Sequence, residues 1–238
     1  MKDAKNFFDL SGEFQQAFDF FNQELFREKL EQVIITLQKH RGANGYFRAN
    51  SFEERSFEEG KQQPPKFTVH EISIMPDAMY QRTDREVLAT LVHEMCHLKQ
   101  KQYGTPSRNG YHNRQWAEYM QAIGLEPTAF GKYDSRNPEL SEEEKAKSPG
   151  EGKSTGQKVS HFIIPGGAFD RACRKLLESG FQLNLHQLPI LSVPQKKSKL
   201  KYTCPQCGNN AWAKPDIKLC CGECMIPMEC EEEDDDND

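Results

Sequence analysis

Apolar residues recur along the chain at two different periods, and the switches between them outline an α+β domain. Across residues 11–27, Phe14, Ala17, Phe18, Phe21 and Leu25 return at steps of three and four, which predicts an amphipathic helix with an aromatic stripe facing a core. Short β-prone runs follow at Val33–Leu37, residues 45–48 and residues 70–74, separated by polar or turn-rich segments, and predict a small sheet. Residues 53–65 form a charged loop ending in Pro-Pro, expected at the rim of a cleft. The helical period then returns. Val87, Leu88, Leu91, Val92, Met95 and Leu98 give a wide apolar face, Thr83 or Asp84 serves as N-cap, and Glu86 completes a capping box with Thr83. Turn formers fill residues 103–110, so the chain doubles back into a second helix at residues 113–123, whose Trp116, Met120 and Ile123 pack on the first.

Beyond residue 131 the pattern changes twice. Residues 132–160 are rich in Ser, Gly, Pro, Glu and Lys with few large apolar side chains, which reads as a flexible linker. Within it, Gly150-Glu-Gly-Lys-Ser-Thr155 looks like the end of a phosphate loop. The first Gly of that motif would fall at Lys147 and no buried strand precedes it, so it carries no nucleotide reading. Order signals resume at residues 161–188. There an apolar strand, a helix with Phe169, Ala172, Cys173, Leu176 and Leu177 on one face, a Gly180 cap and an alternating run at residues 181–185 predict a small β-α-β module. The expected organisation is a main domain over residues 1–131, a linker over 132–160, an αβ basic module over 161–200, a Cys-rich module over 201–228 and an acidic disordered tail over 229–238.

Composition narrows the function classes. With 36% hydrophobic residues and a mean hydropathy of −0.81, the chain holds one sizeable core plus appendages. No apolar run approaches membrane-spanning length and the start lacks the apolar core of a signal peptide, so a cytoplasmic location without membrane contact is expected. Eight acidic residues in the tail outweigh the net charge of −5, so the remaining chain is mildly basic.

The chemistry concentrates in His93-Glu-Met-Cys-His97. At 3.6 residues per turn, positions four apart lie about 40° from eclipsed and roughly 6 Å apart along the axis, so two imidazoles bite one ion. Glu94 then lies beside the metal, where a carboxylate takes a proton from water. The plainer reading, two ordinary helix histidines, is weak, because a chance match in a chain of this length is rare, on the order of 10⁻². A catalytic zinc needs a third ligand, and His112 in Gly110-Tyr-His-Asn-Arg-Gln-Trp116 is the candidate; a spare surface histidine is the alternative. His40 and His70 have no second ligand type at metal spacing and are read as surface or satisfied strand residues. Cys96 points away from the His pair by helical phase and is read as core.

A second metal pattern closes the chain. Cys204-Pro-Gln-Cys207 and Cys221-Gly-Glu-Cys224 are paired Cys-x-x-Cys knuckles, each with a Gly after or between the thiols, and together they predict a structural Cys₄ zinc ribbon. Cys220 competes with Cys221, but the two-residue gap to Cys224 favours Cys221. In a reducing compartment such pairs are metal ligands and not a disulfide framework. Arg171, Arg174, Lys175, Lys196, Lys197, Lys199 and Lys201, with Trp212 in the ribbon, make either a solvated basic face or a surface that binds DNA with little sequence preference.

The run Arg85-Glu-Val-Leu-Ala-Thr-Leu-Val-His-Glu-Met-Cys-His97, followed by His112 after a Gly-containing loop, resembles the SprT-like metalloprotease domain, whose eukaryotic relatives form the Spartan group. The resemblance covers residues 14–125 and the C-terminal Cys cluster, since bacterial members often carry a four-Cys ribbon; residues 132–200 match nothing in the pattern. Tyr111 and Asn113 depart from it, because relatives often carry Gly beside that His. The resemblance implies a zincin-like domain and a zinc endopeptidase with Glu94 as general base. It further implies two zinc ions, one catalytic and one structural, and protein substrates associated with or crosslinked to DNA. The competing expectation is a nucleic-acid-binding or transcription-linked ribbon protein with weak or no protease activity. The spacing by itself says only metal-assisted hydrolysis.

Overall fold

The computed structural model describes residues 9–39, 42–58, 60–80, 82–108, 110–184 and 199–230. The chain divides into two compact units, Met1–Pro189 and Ile190–Asp238. His40, Lys196, Lys197 and tail residues 231–238 lie outside the described residues.

In the first unit, helix α1 (Leu10–Phe26) starts where the Asp9 carboxylate accepts the Gly12 N–H, and its aromatic stripe of Phe14, Phe18 and Phe21 is fully buried. Strands β1 (Val33–Leu37), β2 (Gly45–Glu53) and β5 (Thr68–Ile74) form a sheet of order β1-β5-β2, with β1 parallel and β2 antiparallel to the central β5. Between β2 and β5 the expected charged loop carries a small hairpin, β3 (Phe57–Glu58) against β4 (Lys61–Gln62). Helix α2 (Asp84–Tyr103) begins with the predicted Thr83–Glu86 capping box and packs against β2, β5 and α1. Because it is covered on several sides, Val87, Leu88, Leu91, Val92, Met95, Cys96 and Leu98 are all buried. Helix α3 (Arg114–Ala122) lies against α2, with Trp116 and Met120 fully buried.

The next stretch departs from the sequence expectation. Residues 132–160 are folded, not a linker, and residues 161–184 belong to the first unit, not to a module of their own. Strand β6 (Leu125–Thr128) pairs antiparallel with β7 (Ser160–Ile163), so both ends of the intervening segment are fixed side by side. Inside it the fully buried Asp134 accepts hydrogen bonds from the Thr128 hydroxyl, the Gly152 N–H at 2.7 Å and both the N–H and guanidinium of Arg136 at 2.9 Å. Buried Asn137 donates to the Lys132 carbonyl at 2.8 Å, and a short helix α4 (Glu142–Ala146) carries its own capping box from Ser141 and Glu144. Order here comes from satisfied polar groups, which apolar composition does not register.

Helix α5 (Ala168–Glu178) buries Phe169, Cys173 and Leu176 against α1 and α2, with Phe169 and Phe21 ring centroids 5.6 Å apart. The expected second strand of a β-α-β unit is absent from residues 181–184. One amphipathic helix has too little apolar surface to fold alone, so it completes an existing core. The close approach of the chain at Gly124 and Gly167 makes room for it. A Cβ at Gly124, whose φ is +81°, would lie 2.9 Å from the Gly167 Cα.

The second unit is a three-stranded antiparallel sheet of order β10-β8-β9, built from β8 (Leu200–Thr203), β9 (Asn210–Ala213) and β10 (Glu229–Cys230). The architecture is mixed α+β. No helix among the described residues is long and apolar enough to cross a membrane.

Candidate metal centres

Helix α2 presents His93 and His97 one turn apart, and the start of α3 brings His112 to them. The ligand atoms of all three lie within 4.8 Å of one another, with His93 and His112 buried and His97 half-buried. Asn113, the residue after His112, caps α3 by accepting the Trp116 N–H at 3.0 Å and accepts from the buried Gln100 of α2 at 2.7 Å. Gln100 also donates to Gln115 at 3.2 Å, so a polar latch between the helices sets the position of His112. Trp116 is the floor of the cluster: its ring centroid lies 4.8 Å from His93, 5.1 Å from His97 and 4.2 Å from His112.

Glu94 is buried beside this cluster, with Oε1 3.9 Å from His93 Nε2. Burial pushes its carboxyl up to about 8, against a hydrogen bond from the Phe47 N–H that acts the other way. Phe47 belongs to β2, an edge strand of the sheet, which approaches α2 closely through Gly45. A Cβ there would stand 2.9 Å from the Ser73 carbonyl, 3.1 Å from Thr90 Cγ2 and 3.5 Å from Glu94 Cγ.

Two contacts come from the folded stretch beyond residue 135. His112 and Gly156 form an isolated antiparallel bridge, N–H to carbonyl at 2.7 Å and 3.0 Å in the two directions, and the Gly156 carbonyl also lies 3.2 Å from His112 Nδ1. On β7, His161 Nδ1 lies 3.2 Å from His93 Nδ1. Burial, then the neighbouring imidazoles of His161, His97 and His112, hold His93 well below its ordinary value. Burial and His112 bring His97 down to about 3, and burial lowers His112 while the Gly156 carbonyl opposes the shift. His161 falls to about 3 through burial and the charge of Arg82. Neutral imidazoles are the form that ligates a metal. With Nδ1 of His93 and His112 engaged, Nε2 is the nitrogen each offers, and the donor set fits a three-histidine zinc site.

Sequence reasoning placed His93, Glu94, His97 and His112 together, as the structure does. It missed Phe47, Gln100, Gly156 and His161, whose roles depend on contacts between distant segments and leave no spacing signal. His70 is a satisfied strand residue whose Nδ1 accepts the Asn50 N–H at 3.0 Å.

In the second unit, Cys204, Cys207, Cys221 and Cys224 bring their sulfurs within 4.8 Å of one another. Cys220 is exposed, outside the cluster, and bridges Pro227. Each knuckle is turned by its own backbone: the Gly208 N–H donates to the Cys204 carbonyl at 2.9 Å and the Met225 N–H to the Cys221 carbonyl at 2.8 Å. The backbone N–H groups of Cys224 and Glu223 also reach the Cys221 sulfur and bring its thiol down to about 7. Four converging thiols of this kind fit a closed tetrahedral zinc site.

The basic residues divide between the units. On α5, Arg171 donates to the Gly166 carbonyl, Arg174 pairs with Asp170 at 2.8 Å, and Lys175 pairs with Glu24 at 2.7 Å. Lys199 and Lys201 belong to the second unit, where Lys201 stands opposite Trp212 in the β8–β9 register. Trp212 is 62% exposed.

The model of the SprT-like family matches residues 14–135, slightly more than half of the chain. No curated protein and no solved structure matches it.

Proposed function

This chain belongs to the SprT-like family, and from that premise we propose that it is a zinc-dependent endopeptidase acting on proteins associated with DNA. The convergence of His93, His97 and His112 within 4.8 Å beside buried Glu94 carries the reading. His93, His97 and His112 would hold Zn²⁺, which would supply Lewis acidity to polarise the scissile carbonyl and lower the pKa of a water to about 7. The chain's own residues do the rest. As the carboxylate, the form that a cation held by the neighbouring histidines would favour against the effect of burial, Glu94 takes a proton from the attacking water as the new C–O bond forms. As the C–N bond breaks, it passes that proton to the leaving amine nitrogen. The Phe47 N–H fixes the carboxylate for both transfers. Trp116 packs its ring against all three histidines and so supports their placement.

Glu94→Gln tests the assignment, because the amide keeps the shape and cannot accept the proton. Cleavage of an unfolded protein substrate is expected to fall roughly 10²- to 10⁴-fold with metal content unchanged. Cleavage near the wild-type rate would remove Glu94 as the base.

For the DNA part of the reading, the supporting observation is the exposed Trp212 beside Lys201 on one ribbon face, a stacking surface next to a phosphate-binding charge. Trp212→Ala is expected to weaken single-stranded oligonucleotide binding by about 1–3 kcal/mol, with affinity falling as salt rises. An unchanged salt-dependent affinity would move DNA contact elsewhere. If DNA binds and the wild-type chain cleaves no protein substrate, with or without DNA, the ribbon is the functional part and the chain is a nucleic-acid-binding protein. A reducing, cytoplasmic setting suits eight cysteines that are all free of disulfides.

A further inference from the structure

We infer that His161 is a positioning residue of the histidine centre, holding His93 in the one tautomer that can offer Nε2 to a metal, with the Gly156 carbonyl doing the same for His112. The inference rests on the metal reading of the three histidines and deepens it.

Two ring nitrogens face each other and must share one proton between them. His93 Nδ1 and His161 Nδ1 are 3.2 Å apart, a hydrogen-bond distance, so one must carry a proton and the other a lone pair. His93 can give the Nε2 lone pair only if its proton sits on Nδ1. It then donates to His161, whose own proton is confined to Nε2. At His112 the same logic needs no second histidine. The Gly156 carbonyl, 3.2 Å from Nδ1, accepts and never donates, so it selects Nδ1–H outright. Partners of this kind orient a ligand and raise its basicity.

Both partners come from one short stretch, residues 156–161, that lies past the end of the family match at residue 135. The bridge to His112 fixes one end of it, and the pairing of β7 with β6, which sets His161 opposite Pro127, fixes the other. Buried Phe162 and Ile163 anchor the strand immediately afterwards. The stretch is therefore a clamp on the metal centre, added by a part of the chain that carries no ligand itself.

The test is zinc affinity of the full-length protein by chelator competition, which resolves two sites and lets the thiol site serve as an internal control. His161→Phe keeps the packing and removes the acceptor, and is expected to weaken one site roughly 10- to 100-fold while leaving the other unchanged. His161→Asn places an amide oxygen near the lost Nδ1 and is expected to restore most of that affinity. The unfolding midpoint of the metal-free protein is measured alongside. A packing role alone would shift that midpoint and leave both affinities intact, and that result overturns the inference. A wild-type protein that binds zinc only at its thiols would instead overturn the metal reading itself. If His161→Phe does not fold, the wild type still decides: long-range ¹H–¹⁵N spectra should show Nδ1–H on His93 and Nε2–H on His161, and a proton on His161 Nδ1 refutes the clamp.

Discussion

The two candidate metal centres solve the same geometric problem with opposite supports. The histidine centre stands on the core of the first unit, where α2 and α3 are packed by Leu88, Leu91, Met95, Trp116 and Met120. In the second unit, the buried side chains among the described residues are Tyr202 and two of the thiols themselves, Cys204 and Cys221. One site is built by a fold, and the other must build the fold. The difference follows from scale, since a segment of about 30 residues cannot bury enough apolar surface to offset its conformational entropy.

Removing the metal should therefore separate the units, and this is the largest effect expected. A strong chelator withdraws a contribution of about 10–16 kcal/mol from a small Cys₄ fold, so amides of β8, β9 and β10 should lose hydrogen-exchange protection while those of α2 and β5 keep theirs. Protection surviving in the metal-free ribbon would erase the contrast.

Next in size is Trp116→Ala. It opens a cavity under the histidines and should cost about 3–5 kcal/mol of first-unit stability, read as a shift in its denaturant midpoint. Zinc affinity at the histidine centre should fall with it, while the thiol site stays unchanged. A loss of stability without loss of affinity would show that the histidines do not depend on that floor.

Smaller, and confined to the first unit, is the contribution of Asp134. Burial alone would raise this carboxyl. The hydrogen bonds from Arg136, Thr128 and Gly152 reverse the effect and hold it well below the usual carboxylate range. A folded-state value below the unfolded one means the stabilisation is complete above the ordinary Asp range, near pH 4, and is lost as pH falls through the depressed value. Asp134→Asn should cost roughly 1.5–3 kcal/mol at neutral pH and flatten the acid limb of the stability profile. An acid limb identical to wild type would mean that residues 132–160 are ordered by something else.

Local sequence determined whatever short-range physics could write. The Thr83–Glu86 capping box, the apolar face of α2, the four-residue step from His93 to His97 and the paired knuckles at Cys204/Cys207 and Cys221/Cys224 were all legible, because helical phase and ligand bite are set within a few residues. His112 was legible as a type of residue after a turn, though its approach to the pair rests on the Gln100–Asn113 latch. What only the tertiary structure decided is the fate of residues 132–184. Residues 132–160 read as linker by their polar composition, and residues 161–184 read as part of a separate αβ module. Yet a buried carboxylate that accepts five hydrogen bonds, a β6–β7 pairing across more than thirty residues, and an apolar α5 face buried against α1 and α2 fold them onto the first unit. Such contacts have no period and no spacing, since each group is stabilised by a partner far away in the chain, and that is why His161 and Gly156 reach the histidine cluster unannounced by the sequence around them.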